Sequence, residues 1–261
     1  MKFTVGADPE FFLKDEKGRL ISAHDVVPGT KAEPFKVPCG AVQADGTAVE
    51  FNIDPANSAE EFEHNIHEVL NWIRRYIPSG YSFDFTPVRK YTPKYWAELP
   101  EKAKEVGCDP ELNLYHRHPR PPQDKWRGAG GHIHLGWCKD KDVNDPHHKF
   151  DCETITKYMC NHLGNLQSIW DNKIAERRAK TGYGYDKTYR VKSYGVEYRT
   201  LSCAWIARPD LYQWIFNMSQ AACNNALKGN NVFSSLYDVH DLGWSAITDK
   251  DLPRPVSERI W

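Results

Sequence analysis

Four short stretches of the chain carry polar residues two positions apart among apolar neighbours: Asp8 and Glu10 in GADPEFFL, Glu50 and Asn52 in AVEFNI, His132 and His134 in GHIHLG, Glu197 and Arg199 in YGVEYRTL. A β-strand alternates its side chains between two faces, so each stretch predicts a strand with one apolar face and one face of metal- and phosphate-binding types. In the first, Phe3, Val5, Ala7, Phe11 and Leu13 share one parity and Asp8 and Glu10 take the other. Val49, Phe51 and Ile53 likewise oppose Glu50 and Asn52, and Ile133, Leu135 and Trp137 oppose the two histidines. A solvated face is the ordinary reading of any one such strand. Four together, with Gly6, Gly46, Gly130, Gly131 and Gly195 at or just before the polar pairs, predict an active site laid on a sheet.

If Asp8, Glu10, Glu50 and Glu197 share one concave face, with Asp45 as a further candidate, negative charge is concentrated there. Two carboxylates about 4 Å apart repel by roughly 4 kcal/mol at an effective dielectric of about 20, against the roughly 5 to 15 kcal/mol that holds a domain together. Protons or bound cations must neutralise such a cluster, and a mostly carboxylate set suits hard ions, Mg²⁺ or Mn²⁺, two rather than one. Carboxylate-held ions beside arginines are the apparatus for holding ATP phosphates, and Arg190, Lys192 and Arg199 are placed in sequence for that work. Strand-surface pairs with Asp186 or Glu197 are the alternative for these bases. The chain has no Walker A sequence and no GxGxxG fingerprint after a strand, so a different nucleotide-binding fold is expected.

The elements that must position these residues are partly legible. Ser58 with Glu61 three residues on forms a capping-box pattern, and Phe62, Ile66, Val69, Leu70, Ile73 and Ile77 make the stripe of a helix that Pro78 ends. His64, His67 and Glu68 on that helix read as its solvated side. Tyr81, Phe83 and Phe85 alternate like a strand, and 86–131 reads as an elaborated loop region rich in Pro, aromatics and charge. Within it Arg117, Arg120, Lys125 and Arg127 lead into the histidine strand, a solvated basic loop by default and a flap over a phosphate by hypothesis. Residues from about 152 to 180 predict one long helix, and Pro209 with Asp210 opens another running to roughly Gly229. Strands first, then strands among long helices, predict an α+β fold with a mostly antiparallel sheet. The segment after 230 is uninformative.

At 261 residues with 40% apolar content, a single domain over 1–261 is expected. A formal charge of -1 gives no general pull toward nucleic acid or an anionic membrane, so phosphate recognition must be local. No apolar run is long enough for a membrane span, and MKFTVGADPE has charge and proline where a signal peptide needs apolar residues, so a cytoplasmic location is expected. Seven cysteines without a CxxC pair predict reduced, mostly buried thiols, Cys138 among them as a small buried hydrophobe.

The motifs also resemble a known family. GADPEFFLKD resembles the glutamine synthetase strand carrying two acidic metal ligands separated by one residue, GAGGHIHLG resembles that family's glycine-rich His-x-His strand, and YGVEYR resembles its Arg-x-Glu-x-Arg region, in the same order. RRAKTGYGYDKTYRVKSYGVEYRTLS is similar to the bacteriophage carboxylate-amine ligases of that superfamily, which also contains glutamate-cysteine ligases. The resemblance runs from about residue 5 to residue 205 and implies a curved antiparallel sheet with helices on one face, two metal sites and ATP across them. It implies that Glu10 and Glu50, with Asp45, hold one ion and that Asp8, His132 and Glu197 hold the other. His134 would contact the nucleotide, Arg199 the γ-phosphate, and Arg190 would assist phosphoryl transfer. Asp8 stands where glutamate is usual in glutamine synthetase, and this chain is far shorter than that enzyme, which puts its dodecameric assembly in doubt while leaving a homo-oligomer open.

The implied reaction is ATP-dependent joining of a carboxylate to an amine through an acyl phosphate, with small-molecule or peptide substrates and, for a phage protein, the host cytoplasm as its place. Guanidino-type phosphotransfer within the superfamily, and an inactive peptide-binding or virion protein, are the alternatives. A zinc hydrolase built on His132 and His134 fits poorly because acids outnumber histidines, and a cupin would need a glutamate where Cys138 and Lys139 stand.

Overall fold

The computed structural model describes residues 3–104, 112–114 and 123–228. In chain order the strands are β1 (Thr4–Lys14), β2 (Leu20–Ile21), β3 (Phe35–Val37), β4 (Gly40–Asp45), β5 (Ala48–Ile53), β6 (Ser82–Asp84), β7 (Val88–Lys90), β8 (Leu112–Asn113), β9 (Trp126–Gly128), β10 (Gly131–Gly136), β11 (Thr188–Lys192) and β12 (Gly195–Tyr198). The α-helices are α1 (Ala59–Tyr76), α2 (Pro93–Glu98), α3 (Glu101–Lys104), α4 (Pro146–His162), α5 (Ile174–Thr181) and α6 (Tyr212–Leu227).

The fold is α+β. One open sheet runs β3-β4-β5-β1-β10-β12-β11-β8, with β2 and β6 also pairing β1, and β7 with β9 makes a separate two-stranded ribbon. Every pairing among the described strands is antiparallel. The central strand β1 changes partners along its length: Thr4 to Pro9 pair β10, Glu10 and Phe11 pair β5, and Phe12 to Lys14 pair β6. One strand thereby ties the histidine strand to the carboxylate strand.

Helices α1, α4 and α6 cover one face. The odd-numbered β1 residues Val5, Ala7, Phe11 and Leu13 enter a single core with Phe51, Ile133, Val196, Phe62, Met159 and Ile215, all fully or almost fully buried. Full burial of side chains this size contributes about 1.5 to 3 kcal/mol each, which fixes the strand parity because a slip of one residue would exchange the core for the acids. On the opposite face a small apolar group, Phe12, Ala48, Ala129 and Cys203, walls the polar side.

Helix α1 is capped as its sequence predicts. The Ser58 hydroxyl accepts the Glu61 N–H at 3.2 Å, but the Glu61 carboxylate reaches back to Asn57 N at 2.6 Å, one residue earlier than a capping box requires. The long helix expected over 152–180 is instead α4, a 3₁₀ segment at Gly164–Ile169, and α5. The break has a physical cause. Asp171 accepts the Lys173 N–H at 2.8 Å and the Ser202 hydroxyl at 2.5 Å, anchoring the chain to a distant loop where a continuous helix would have carried it away. Within the elaborated 86–131 region the described residues include β7, α2, α3, β8 and β9.

Cys108 and the segment after 230 lie outside the described residues. Among the described cysteines none is bridged; Cys152, Cys160, Cys203 and Cys223 are buried, whereas Cys138 is only half-buried, with its thiol on the Ser193 carbonyl at 3.5 Å. No helix among the described residues is long and apolar enough to cross a membrane.

Candidate metal and phosphate site

Register assembles the site. Gln43, Glu50 and Glu10 stand opposite one another across β4, β5 and β1. Asp8 stands opposite His132, while His134 faces Glu197, which in turn faces Arg190. Directly opposed residues of an antiparallel ladder project to the same face, so the acids, imidazoles and guanidinium groups meet on the side away from α1, α4 and α6.

Two groups each bring their possible ligand atoms within 4.8 Å of one another: Asp8, His134 and Glu197 form one, and Glu10, Asp45 and Glu50 the other. The second set is the one expected from sequence. In the first, His134 takes the place expected for His132, although His132 is close by, with Nδ1 at 3.1 Å from Asp8 Oδ1 and 3.5 Å from Glu197 Oε1. His134 Nε2 lies 2.9 Å from Asp8 Oδ1, so the imidazole faces that carboxylate directly. An imidazole nitrogen set between two carboxylates is a donor set that fits a divalent ion.

Glu197 is fully buried and gathers the basic residues. Arg199 pairs with its Oε1, Lys192 Nζ lies 2.9 Å from Oε2, and Arg190 Nη1 lies 3.5 Å from the same oxygen. Burial and the neighbouring Asp8 push the Glu197 carboxyl up, but Arg199, His134 and His132 outweigh them and hold it at about 2. Asp8 stays well below the usual carboxylate range because His134 and His132 overcome its burial. Burial works against the His134 imidazolium, but Asp8 raises its pKa above the ordinary value. Glu50 moves the other way: burial, then Asp8, Glu10 and Asp45, push its carboxyl well above the ordinary range. Burial and three neighbouring carboxyl groups thus act together against a charge on Glu50.

Sequence reasoning missed three contributors. Tyr183 places its hydroxyl 3.1 Å from His132 Nε2 and also bonds Arg199, whose guanidinium lies 5.1 Å from the Tyr183 ring centre. Tyr194 bonds His134 Nδ1, which aims Nε2 at Asp8. Arg177 is fully buried, 5.2 Å from the Tyr183 ring centre, with Nε and Nη2 lacking hydrogen-bond partners. All three lie in the RRAKTGYGYDKTYRVKSYGVEYRTLS stretch, but nothing in its spacing sets them apart from their neighbours.

The flap expectation fares differently at each residue. Arg117 and Arg120 lie outside the described residues. Lys125 pairs with Asp124 at 2.9 Å. Arg127 is not a solvated flap residue: it is 6% exposed, paired with Asp45 and 3.5 Å from Glu10. Beside Asp8 and His134 a cavity of about 740 Å³ opens, walled by Asn52, Ile53, Trp137 and Tyr194.

No family model matches the chain. No curated protein matches it. Among solved structures it is similar to one described as the crystal structure of a novel glutamine synthase homolog, with 12% sequence identity and a TM-score of 0.40. That similarity covers 87% of this chain and 56% of the other, so this chain spans little more than half of its length.

Proposed function

We propose that the chain is an ATP- and Mg²⁺-dependent ligase that joins a carboxylate to an amine through an acyl phosphate. The observation that carries this reading is the convergence on one sheet face of two acid-rich ligand sets with Arg190, Lys192 and Arg199 beside them. Divalent ions, when bound, would neutralise phosphate oxygens there. Asp8, His134 and Glu197, with His132 adjacent, would hold one ion, and Glu10, Asp45 and Glu50 a second. The cavity against Asp8 and His134 is of a size for a nucleotide.

In this reading Arg199 and Arg190 exchange part of their hold on Glu197 for the γ-phosphate, whose transfer develops charge that guanidinium groups stabilise. A substrate carboxylate oxygen attacks the γ-phosphorus, the bond to the bridging oxygen breaks, and ADP leaves. The amine nitrogen then attacks the acyl carbon, phosphate departs, and the nitrogen gives up its proton. Activation is needed because a free carboxylate is a poor electrophile, and the buried wall of Phe12, Ala129 and Cys203 serves to limit competing water.

The test is incubation with ATP, Mg²⁺ and pools of amino acids, small peptides and guanidino compounds, followed for ADP and for product mass. ADP release coupled to a product lighter than its two substrates by one water is expected. A phosphorylated guanidino product would assign the chain to phosphotransfer instead, and no ADP with any pool would contradict both enzyme readings.

A further inference from the structure

We propose that Arg127 is a tethered cation of the Glu10, Asp45 and Glu50 cluster, and that it and a second divalent ion occupy the cluster in alternation. The inference rests on the metal reading above and adds to it a device that controls ion number. Arg127 is buried against the cluster, its guanidinium joined to Asp45 Oδ2 and 3.5 Å from Glu10 Oε2, an oxygen that also accepts the Gly130 N–H at 3.2 Å. Two of the three acids therefore already face a positive charge. A guanidinium and a divalent ion a few ångströms apart in a site this buried repel strongly, so both cannot be held by the same oxygens.

The way Arg127 is carried supports exchange. It sits on β9, which pairs only β7 among the described strands, and not on the main sheet that supplies the acids. The ribbon meets the main sheet through side chains, Arg127 on Asp45 and Arg89 on Asp84, and just beyond β7 the Tyr91 hydroxyl bonds Thr47, with Tyr91 N bonded to Lys125 O at 2.8 Å. Withdrawing the guanidinium therefore breaks no ladder of the sheet. At the other set the situation differs: Asp8 meets only the two imidazoles among the described contacts, and the bases on Glu197 are those assigned to phosphate.

Counting Mn²⁺ ions by calorimetry and by electron paramagnetic resonance tests this without any turnover. Arg127→Gln should bind one more Mn²⁺ per chain than the wild type in nucleotide-free protein, Arg127→Lys should match the wild type, and adding Glu50→Gln to Arg127→Gln should lose the extra ion. Equal ion number and affinity in the wild type and Arg127→Gln would overturn the proposal while leaving the metal reading intact. Absence of Mn²⁺ from every variant would overturn both. Should Arg127→Gln fail to fold without ions, recovery on refolding with Mn²⁺ but not with Na⁺ is the expected result, and failure to recover with Mn²⁺ contradicts the proposal.

Discussion

At the residue scale, Glu197 is the group on which the basic side chains depend. It is fully buried, and deleting its carboxylate removes the ion pair it makes with Arg199, itself only 2% exposed. Breaking a buried pair in this way costs about 3 to 5 kcal/mol, so Glu197→Ala should lower the melting temperature sharply as well as abolish any ADP release. Glu197→Gln keeps the shape and separates the two effects. Because the folded-state carboxyl is held at about 2, below its ordinary 4.5, its contribution to stability is present above that ordinary value and lost as pH falls toward the folded one. Acid unfolding followed by circular dichroism should therefore be shallower in Glu197→Gln between those limits; identical acid limbs would show that Glu197 is not held as described.

These residues were legible because strand alternation is a local rule: Asp8 with Glu10, and Glu197 with Arg199, share faces whatever the rest of the chain does. Tyr183, Tyr194 and Arg177 were not, since their contacts with the site arise from tertiary placement across helix α5 and two turns. The exchange of His134 for His132 in the compact ligand set had the same origin. Both imidazoles project to one face, and only Tyr194 behind His134 decides where Nε2 points.

At the element scale, the start of β10 is where local sequence and site geometry are most tightly joined. A Cβ on Gly131 would lie 2.3 Å from Ser202 O and 2.4 Å from Trp205 Nε1, immovable neighbours in the core. A Cβ on Gly130 would instead meet the His132 ring, 2.3 Å from Nε2. Gly131→Ala should therefore cost about 1 to 3 kcal/mol of stability, read by denaturant unfolding. Gly130→Ala should chiefly displace His132 and weaken Mn²⁺ binding. The reverse pattern would mean that the glycines serve packing alone. Helix α1 was legible from Ser58 and its apolar stripe because capping is local, whereas the break between α4 and α5 depends on Asp171 bonding Ser202, a contact that no periodicity announces.

At the scale of the whole molecule, an open antiparallel sheet turns one face to its helices and leaves the other to hold charge. The fold class was legible because core parity and polar parity alternate in four strands at once. The order of those strands, with β1 between the carboxylate strand β5 and the histidine strand β10, was not, because register across 120 residues is set by packing. That order brings Glu10 to Glu50 and Asp8 to His132, and so gathers possible ligand atoms into two groups rather than leaving scattered acids. The most direct test of the account is calorimetric titration of ATP into the protein with Mg²⁺ and again with a chelator. Binding in the range of about 1 μM to 1 mM that requires Mg²⁺ is predicted. No binding with Mg²⁺, or equal binding in the chelator, would contradict the assignment of this face to metal-held phosphate.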